Sequence, residues 1–228
     1  MSLAARSLRE EQMDDPALPP DVYAEVLGDL SRVNRWTLAQ RPTLAFLERA
    51  VGKRARFRLL DVGFGHGDML RAIALWARRR GIAAELVGVD LNDKSLAAAR
   101  AATPAEMPIV YRIGDYRHVE GRFDVIVSSL VAHHMSREEL LRFLRHMEAH
   151  AARGWMVNDL HRHGFAYAGY PLLARMLGVH RIVREDGRLS IARAFRPTEW
   201  RAILSEGGVD GAQVVRRFPF RLCVERLR

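Results

Sequence analysis

Three glycines at alternate positions, Gly63, Gly65 and Gly67, stand directly before a carboxylate, Asp68. Glycine serves where the backbone takes positive φ or must lie against a ligand. The run before them, Leu59-Leu60-Asp61-Val62, is apolar but for one acid. After them Met69, Leu70, Ile73, Trp76 and Ala77 recur at the spacing of one helical face. This is a strand, a tight turn and a helix whose free N–H groups point into the turn. A pyrophosphate fingerprint would want its third glycine at position 68, where Asp68 stands, and no Gly-Lys-Ser/Thr triplet occurs. The turn therefore suits a nucleoside-type ligand that carries positive rather than negative charge.

The neighbouring segments must position that turn. Glu85 to Asp90 reads as a second strand ending in an acid, at a separation from Gly63 close to that at which an acid binds ribose hydroxyls. Asn92 or Asp93 caps an alanine-rich helix through about Ala102. Ile109 to Ile113 alternates as a third strand and stops at Gly114-Asp115-Tyr116. Phe123 to Ser128 is a fourth, apolar enough to be buried on both faces. In a parallel sheet these ends lie along one edge, where ligands bind.

These motifs, Asp61-Val62-Gly63-x-Gly65-x-Gly67, Gly88-Val89-Asp90, Gly114-Asp115 and Phe123 to Val127, resemble the seven-stranded class I S-adenosylmethionine-dependent methyltransferases over residues 55 to 160. Ser129-Leu130-Val131-Ala132-His133-His134 is similar to small-molecule methyltransferases of quinone and polyketide biosynthesis, and Val157 to Arg162 more loosely so. The resemblance implies S-adenosylmethionine as cofactor. Asp61, Gly63, Gly65 and Gly67 would form the cradle of its methionine portion. Asp90 would hold the ribose hydroxyls, Leu91 would lie against the adenine, and Asp115, with Tyr116 beside it, would accept from the adenine amino group. Ser129 would join this set.

The expected architecture is α/β: a doubly wound, seven-stranded, mostly parallel sheet with a C-terminal antiparallel hairpin. Residues 1–54 form an N-terminal helical cap over the cofactor site, and residues 55–228 the methyltransferase domain. Val22 to Leu30 and Asn34 to Val51 show helical spacing, with a break or kink at Pro42. Ser136 to Glu139 is a capping box for a helix through Met147. Trp155 to Leu160 is a fifth strand, Pro197 to Glu206 a helix, and Gln213 to Phe218 and Arg221 to Arg226 the last two strands. Residues 161–195 are too long for a simple connection. Their Phe165, Tyr167, Tyr170, Leu172 and Leu173 read as a helical lid with aromatic walls for an acceptor. Trp36 and Tyr23 line either the site or the core.

Bulk properties bound the partners. A chain of 228 residues makes one domain with a sizeable core. Cys223 is the single cysteine, so no internal disulfide forms, and a cytoplasmic location is expected. The N-terminus carries Glu10, Glu11, Asp14 and Asp15 and no signal-peptide core, and no stretch is apolar enough to span a membrane. The net charge of +9 pulls toward nucleic acid, but it rests on scattered arginines. After the fourth strand stands Ser128-Ser129-Leu130-Val131, where nucleic-acid amino methyltransferases of this fold carry an Asp/Asn-Pro-Pro-aromatic tetrapeptide. The expected partner is a small-molecule acceptor, and the chain a monomer or homodimer.

Methyl transfer from a sulfonium needs alignment and dryness. A phenolic oxygen also gains from a nearby base, and histidine suits one near neutral pH. His133 and His134 follow the fourth strand and His161 the fifth, so these three are the catalytic candidates. Asp159 orients a histidine or binds an acceptor hydroxyl, with Trp36, Tyr167 and Tyr170 at the acceptor. No metal is expected, because Asp159 is the only strong acid candidate at the acceptor. Oxygen methylation of an aromatic or polyketide-like acceptor is the leading reading. Carbon methylation of a quinone precursor and methylation by an RNA-binding enzyme are the alternatives.

Overall fold

The computed structural model describes residues 3–228, and it is built around one seven-stranded sheet. The strands are β1 (Arg56–Val62), β2 (Ala83–Asp90), β3 (Ile109–Ile113), β4 (Phe123–Ser129), β5 (Ala151–Leu160), β6 (Gln213–Arg217) and β7 (Arg221–Leu227), in the order β3-β2-β1-β4-β5-β7-β6. The first five run parallel. β7 lies antiparallel to both β5 and β6, which makes the expected C-terminal hairpin. Leu59, Leu60, Val125 and Ile126 are fully buried, as strands covered on both faces must be.

Helices cover both faces. α3 (Asp68–Arg79) and α4 (Lys94–Ala101) follow β1 and β2, and α5 (Arg137–His150) and α8 (Pro197–Glu206) pack on the opposite face. The capping box at Ser136 is present, with Ser136 Oγ accepting from Glu139 and Glu139 accepting from Ser136. Ahead of them run α1 (Pro20–Trp36) and α2 (Arg41–Val51). The break between these two falls at residues 37–40, and Pro42 sits in the first turn of α2, where its missing N–H costs nothing. α2 packs on the sheet through Phe46 and Leu47. α1 instead meets α6 (Gly164–Met176) and α7 (Arg181–Arg193), the two helices of the long insertion. Val26, Val33, Ala174, Ile182 and Val183 form a core of their own there. Among the described residues no helix is long and apolar enough to cross a membrane.

Candidate active site

The C-terminal ends of β1, β2 and β4 and the helices α1, α6 and α7 enclose one cavity of about 1010 Å3. This is the upper end of the usual size for a ligand site.

The floor is the glycine turn. Gly63, Gly65 and Gly67 have φ of 78°, 50° and 74°. A Cβ on Gly63 would run into Val131 Cγ2, and one on Gly67 into the Tyr111 hydroxyl. At these two positions a side chain would have to displace Val131 or Tyr111. Asp90 closes the turn: Oδ2 accepts from the Gly65 N–H at 2.8 Å and Oδ1 from the Asn92 N–H at 2.9 Å. Burial pushes this carboxyl up, and the two N–H groups pull it back only in part. Asp61 is buried beneath the turn, and its Oδ1 has no hydrogen-bond partner. Burial, then the charges of Asp68 and Asp90, raise it to about 8. These three carboxylates lie close together without an ion pair among the described residues. Such a cradle lacks a cation and would repel a pyrophosphate.

The opposite wall is a polar corner assembled from four segments. His133 is 2% exposed, and its Nδ1 lies 2.7 Å from Asp159 Oδ1. The other oxygen of Asp159 accepts the His133 backbone N–H at 2.9 Å. His133 Nε2 faces Glu11 Oε1 at 3.6 Å. Burial alone would lower the His133 pKa, but Asp159 and Glu11 outweigh it and raise the ring to about 9. His134 keeps its Nδ1 3.0 Å from Asp14 Oδ2 and its Nε2 3.8 Å from Glu11 Oε2. Ser190 Oγ donates to Glu11 at 2.9 Å, and Arg193 Nε stands 3.8 Å from the same carboxylate. The N-terminal strap that delivers Glu11 is pinned along its length. Arg6 donates to the carbonyls of His133 and Met135, and Asp186 accepts the N–H groups of Gln12 and Met13.

The sequence-based candidates divide accordingly. Gly63, Gly65, Asp90, Leu91, Tyr116 and Ser129 line the cavity, as do His133, His134 and Tyr170. Asp61, Gly67 and Asp159 support it from behind. Asp115 does not line it: Arg117, two residues on, donates to its carboxylate from the backbone at 2.8 Å and from the side chain at 2.6 Å. Trp36, at the end of α1, is 67% exposed and joins neither the cavity wall nor the core. Tyr167 is turned away under the Arg188 guanidinium, 4.2 Å from the ring centre. His161 is carried past the end of β5 into a separate cleft with His163 and Arg216. Burial and the charge of Arg216 hold it down to about 4. Tyr23 is buried and lines the cavity, its hydroxyl 3.0 Å from Ser95 Oγ. The residues missed from the sequence are Glu11, Asp14, Ser190 and Arg193. Their only signal was an acidic run near the N-terminus, and nothing local ties it to a site.

Residues 59–154 match the family model described as a methyltransferase domain. Over that stretch the chain is similar to methyltransferase domains. No curated protein matches the sequence closely enough to extend that assignment. Solved structures match across nearly the whole chain, at low identity. A magnesium protoporphyrin IX methyltransferase from Synechocystis PCC 6803, with SAH bound, is 16% identical, with a TM-score of 0.56 over 95% of this chain and 91% of that one. A plantazolicin methyltransferase in complex with a triazolic desmethylPZN analog and SAH is 15% identical, with a TM-score of 0.64 over 87% and 72%. Human N-acetylserotonin methyltransferase with SAM is 14% identical, with a TM-score of 0.63 over 92% and 56%. The family match ends at residue 154, before Asp159 and the α6–α7 hairpin.

Proposed function

We propose that this chain transfers a methyl group from S-adenosylmethionine to the oxygen of a small, aromatic or polyketide-like acceptor. One observation carries the reading. The acid-lined cradle that lacks a cation and the polar corner open onto the same roofed cavity. The residues present fit the cofactor, because Asp61 Oδ1 is buried without a partner and the glycine turn is crowded at Gly63 and Gly67. When bound, S-adenosylmethionine supplies a methyl group on a positive sulfur that leaves with the bonding electron pair. The glycine turn and Asp61 hold the charged end, Asp90 accepts from the ribose hydroxyls, and Leu91 and Tyr116 flank the base. The α6–α7 hairpin acts as a lid that excludes water and orients the acceptor. The acceptor's O–H proton goes to the corner of Glu11, His133 and His134. Asp159 and Glu11 keep His133 protonated near neutral pH, and His134 is the second ring at this corner.

Two further features favour a small acceptor bound for oxygen methylation. α1, α6 and α7 line one side of the chamber, which narrows it to a pocket that suits a compact molecule better than a polynucleotide strand. A corner built to handle a proton serves an O–H more than an already ionised ring carbon. The similar structures include enzymes named for a porphyrin and for N-acetylserotonin, both flat ring systems. The test is calorimetry with S-adenosylmethionine and NAD, followed by turnover of a panel of phenols and quinone precursors with product structures by NMR. Tighter binding of NAD would sink the cofactor reading. Methyl groups found on ring carbon would replace oxygen methylation with the carbon alternative.

A further inference from the structure

The corner of Glu11, His133 and His134 has a geometry that proton handling alone does not require. One donor atom from each of the three lies within 4.8 Å of the others. The two ring Nε2 atoms face the two oxygens of Glu11 at 3.6 and 3.8 Å. These gaps are too long for hydrogen bonds. They match the separation of two donors that each sit about 2.0–2.2 Å from a shared ion. Both rings are also turned the same way: His133 Nδ1 lies 2.7 Å from Asp159, and His134 Nδ1 lies 3.0 Å from Asp14. A carboxylate on Nδ1 orients each ring with Nε2 toward Glu11, where a bound ion would displace the extra proton that His133 otherwise holds, and metal-binding histidines regularly carry such a partner. Here both do, one from the N-terminal strap and one from β5.

We propose that Glu11, His133 and His134 bind one divalent transition-metal ion of the zinc class, on the acceptor wall of the cavity. Two nitrogens and one carboxylate oxygen suit Zn2+, Fe2+ or Co2+, whereas Mg2+ prefers oxygen ligands. Three protein donors leave at least one coordination position open. All three residues line the cavity, so that position faces the acceptor. Within the methyl-transfer reading, the ion would take the acceptor's oxygen and lower its pKa so that its proton leaves to water, and both histidines would be ligands in place of the base role given above. Arg193, 3.8 Å from Glu11, and Ser190, 2.9 Å away, would hold the carboxylate in place from its outer side. The site itself stands on the geometry of the corner; only its role rests on the acceptor reading.

The chelator-stripped chain should be titrated with Zn2+ by calorimetry and with Co2+ by visible absorption, with Mg2+ in parallel. Wild type should take one Zn2+ per chain at micromolar affinity or tighter and should not respond to Mg2+. Glu11→Gln and His134→Ala should each weaken Zn2+ binding by about tenfold or more, and Asp14→Asn by about tenfold. The control is His150→Ala. His146 and His150 stack on one face of α5 with ring centres 4.1 Å apart, and such a pair is the obvious adventitious zinc site. His150→Ala should leave binding unchanged. Absence of Zn2+ binding in wild type, binding that survives both Glu11→Gln and His134→Ala, or loss in His150→Ala would each overturn the proposal. S-adenosylmethionine affinity on the same samples verifies folding of the variants. It also separates the two readings, because a chain that bound zinc at this corner but not the cofactor would defeat methyl transfer alone.

Discussion

On the floor of the cavity, the polar groups come from one stretch, Asp61 to Asp90, and three carboxylates stand without an ion pair among the described residues. On the opposite wall they come from residues 11–14, 133–134, 159 and 190–193, and each carboxylate faces an imidazole. Both sides are buried and both carry acids. They differ in whether the charge is met within the chain. The unmet side has acids held above their ordinary range by burial, a state stable only while they keep protons or gain a cation. The met side has Asp159 held below it, because the charge of His133 and its hydrogen bond outweigh burial. An unmet site waits for a charged ligand. A met site is already in position before the acceptor arrives.

The comparison breaks most visibly at Asp159. It holds His133 through both the ring and the backbone N–H. Asp159→Ala leaves a buried imidazole facing Glu11 with its main partner gone. Breaking one partner from a buried pair costs about 3–5 kcal/mol. Urea unfolding should show a loss of that size. A change below about 1 kcal/mol would mean that the corner is not a structural unit, and the contrast between the two sides would fail.

Asp90 probes the other side, and its effect should fall on binding. Its carboxylate accepts from Gly65 and Asn92 and is the acceptor proposed for the ribose hydroxyls. Charge-assisted hydrogen bonds contribute about 1.5–3 kcal/mol. Asp90→Ala should therefore weaken S-adenosylmethionine binding by that amount in calorimetry. Unchanged affinity would remove Asp90 from the cofactor site. Tyr170→Phe should do less. The Tyr170 hydroxyl donates to the Val183 carbonyl at 2.7 Å and ties α6 to α7. Its loss should cost about 0.5–1.5 kcal/mol of stability and raise KM for the acceptor while cofactor affinity holds. A weakened cofactor site in Tyr170→Phe would show that roof and floor are one unit.

The same contrast explains what could be read from the sequence. The floor is local. Strand, glycine turn, helix and terminal acid follow one another within about thirty residues, so spacing alone located Gly63, Gly65 and Asp90. The seven strands and their C-terminal hairpin are legible as well, and α8 spans Pro197–Glu206 as its proline start and the following glycines require. The corner is not local. Glu11 reaches His133 only because Arg6, Gln12 and Met13 are tied to α7 and to the turn after β4. No periodicity encodes that strap. Trp36 failed for a related reason: its spacing continues the face of α1, but the chain leaves the helix there and the ring is left in solvent. Tyr167 and Tyr170 are three residues apart on α6, yet only Tyr170 faces the cavity. Aromatic content marked the helix and could not choose its buried side.

The most specific effect belongs to Asp61. Its carboxyl is raised to about 8 in the folded chain, first by burial and then by Asp68 and Asp90. In the unfolded chain it returns to about 3.9. Between these values the folded state keeps a proton that the unfolded state has released, so Asp61 makes stability fall as pH rises across that window. Below about pH 4 both states are protonated, and above about pH 8 both are ionised, so its contribution to the slope vanishes at either end. Asp61→Asn replaces a protonated carboxyl by an amide of the same shape. Its stability should match wild type below the window, and its decline toward pH 8 should be shallower. The cofactor reverses the balance: a cation beside Asp61 favours the ionised form, so binding should release a proton and tighten toward pH 8 in wild type. Calorimetry in buffers of different ionisation enthalpy measures that proton directly. Asp61→Asn should bind more weakly and release no proton from this site. An equal proton count in both proteins would show that Asp61 does not answer the ligand's charge, and the floor would lose its claim to be the unmet half of the cavity.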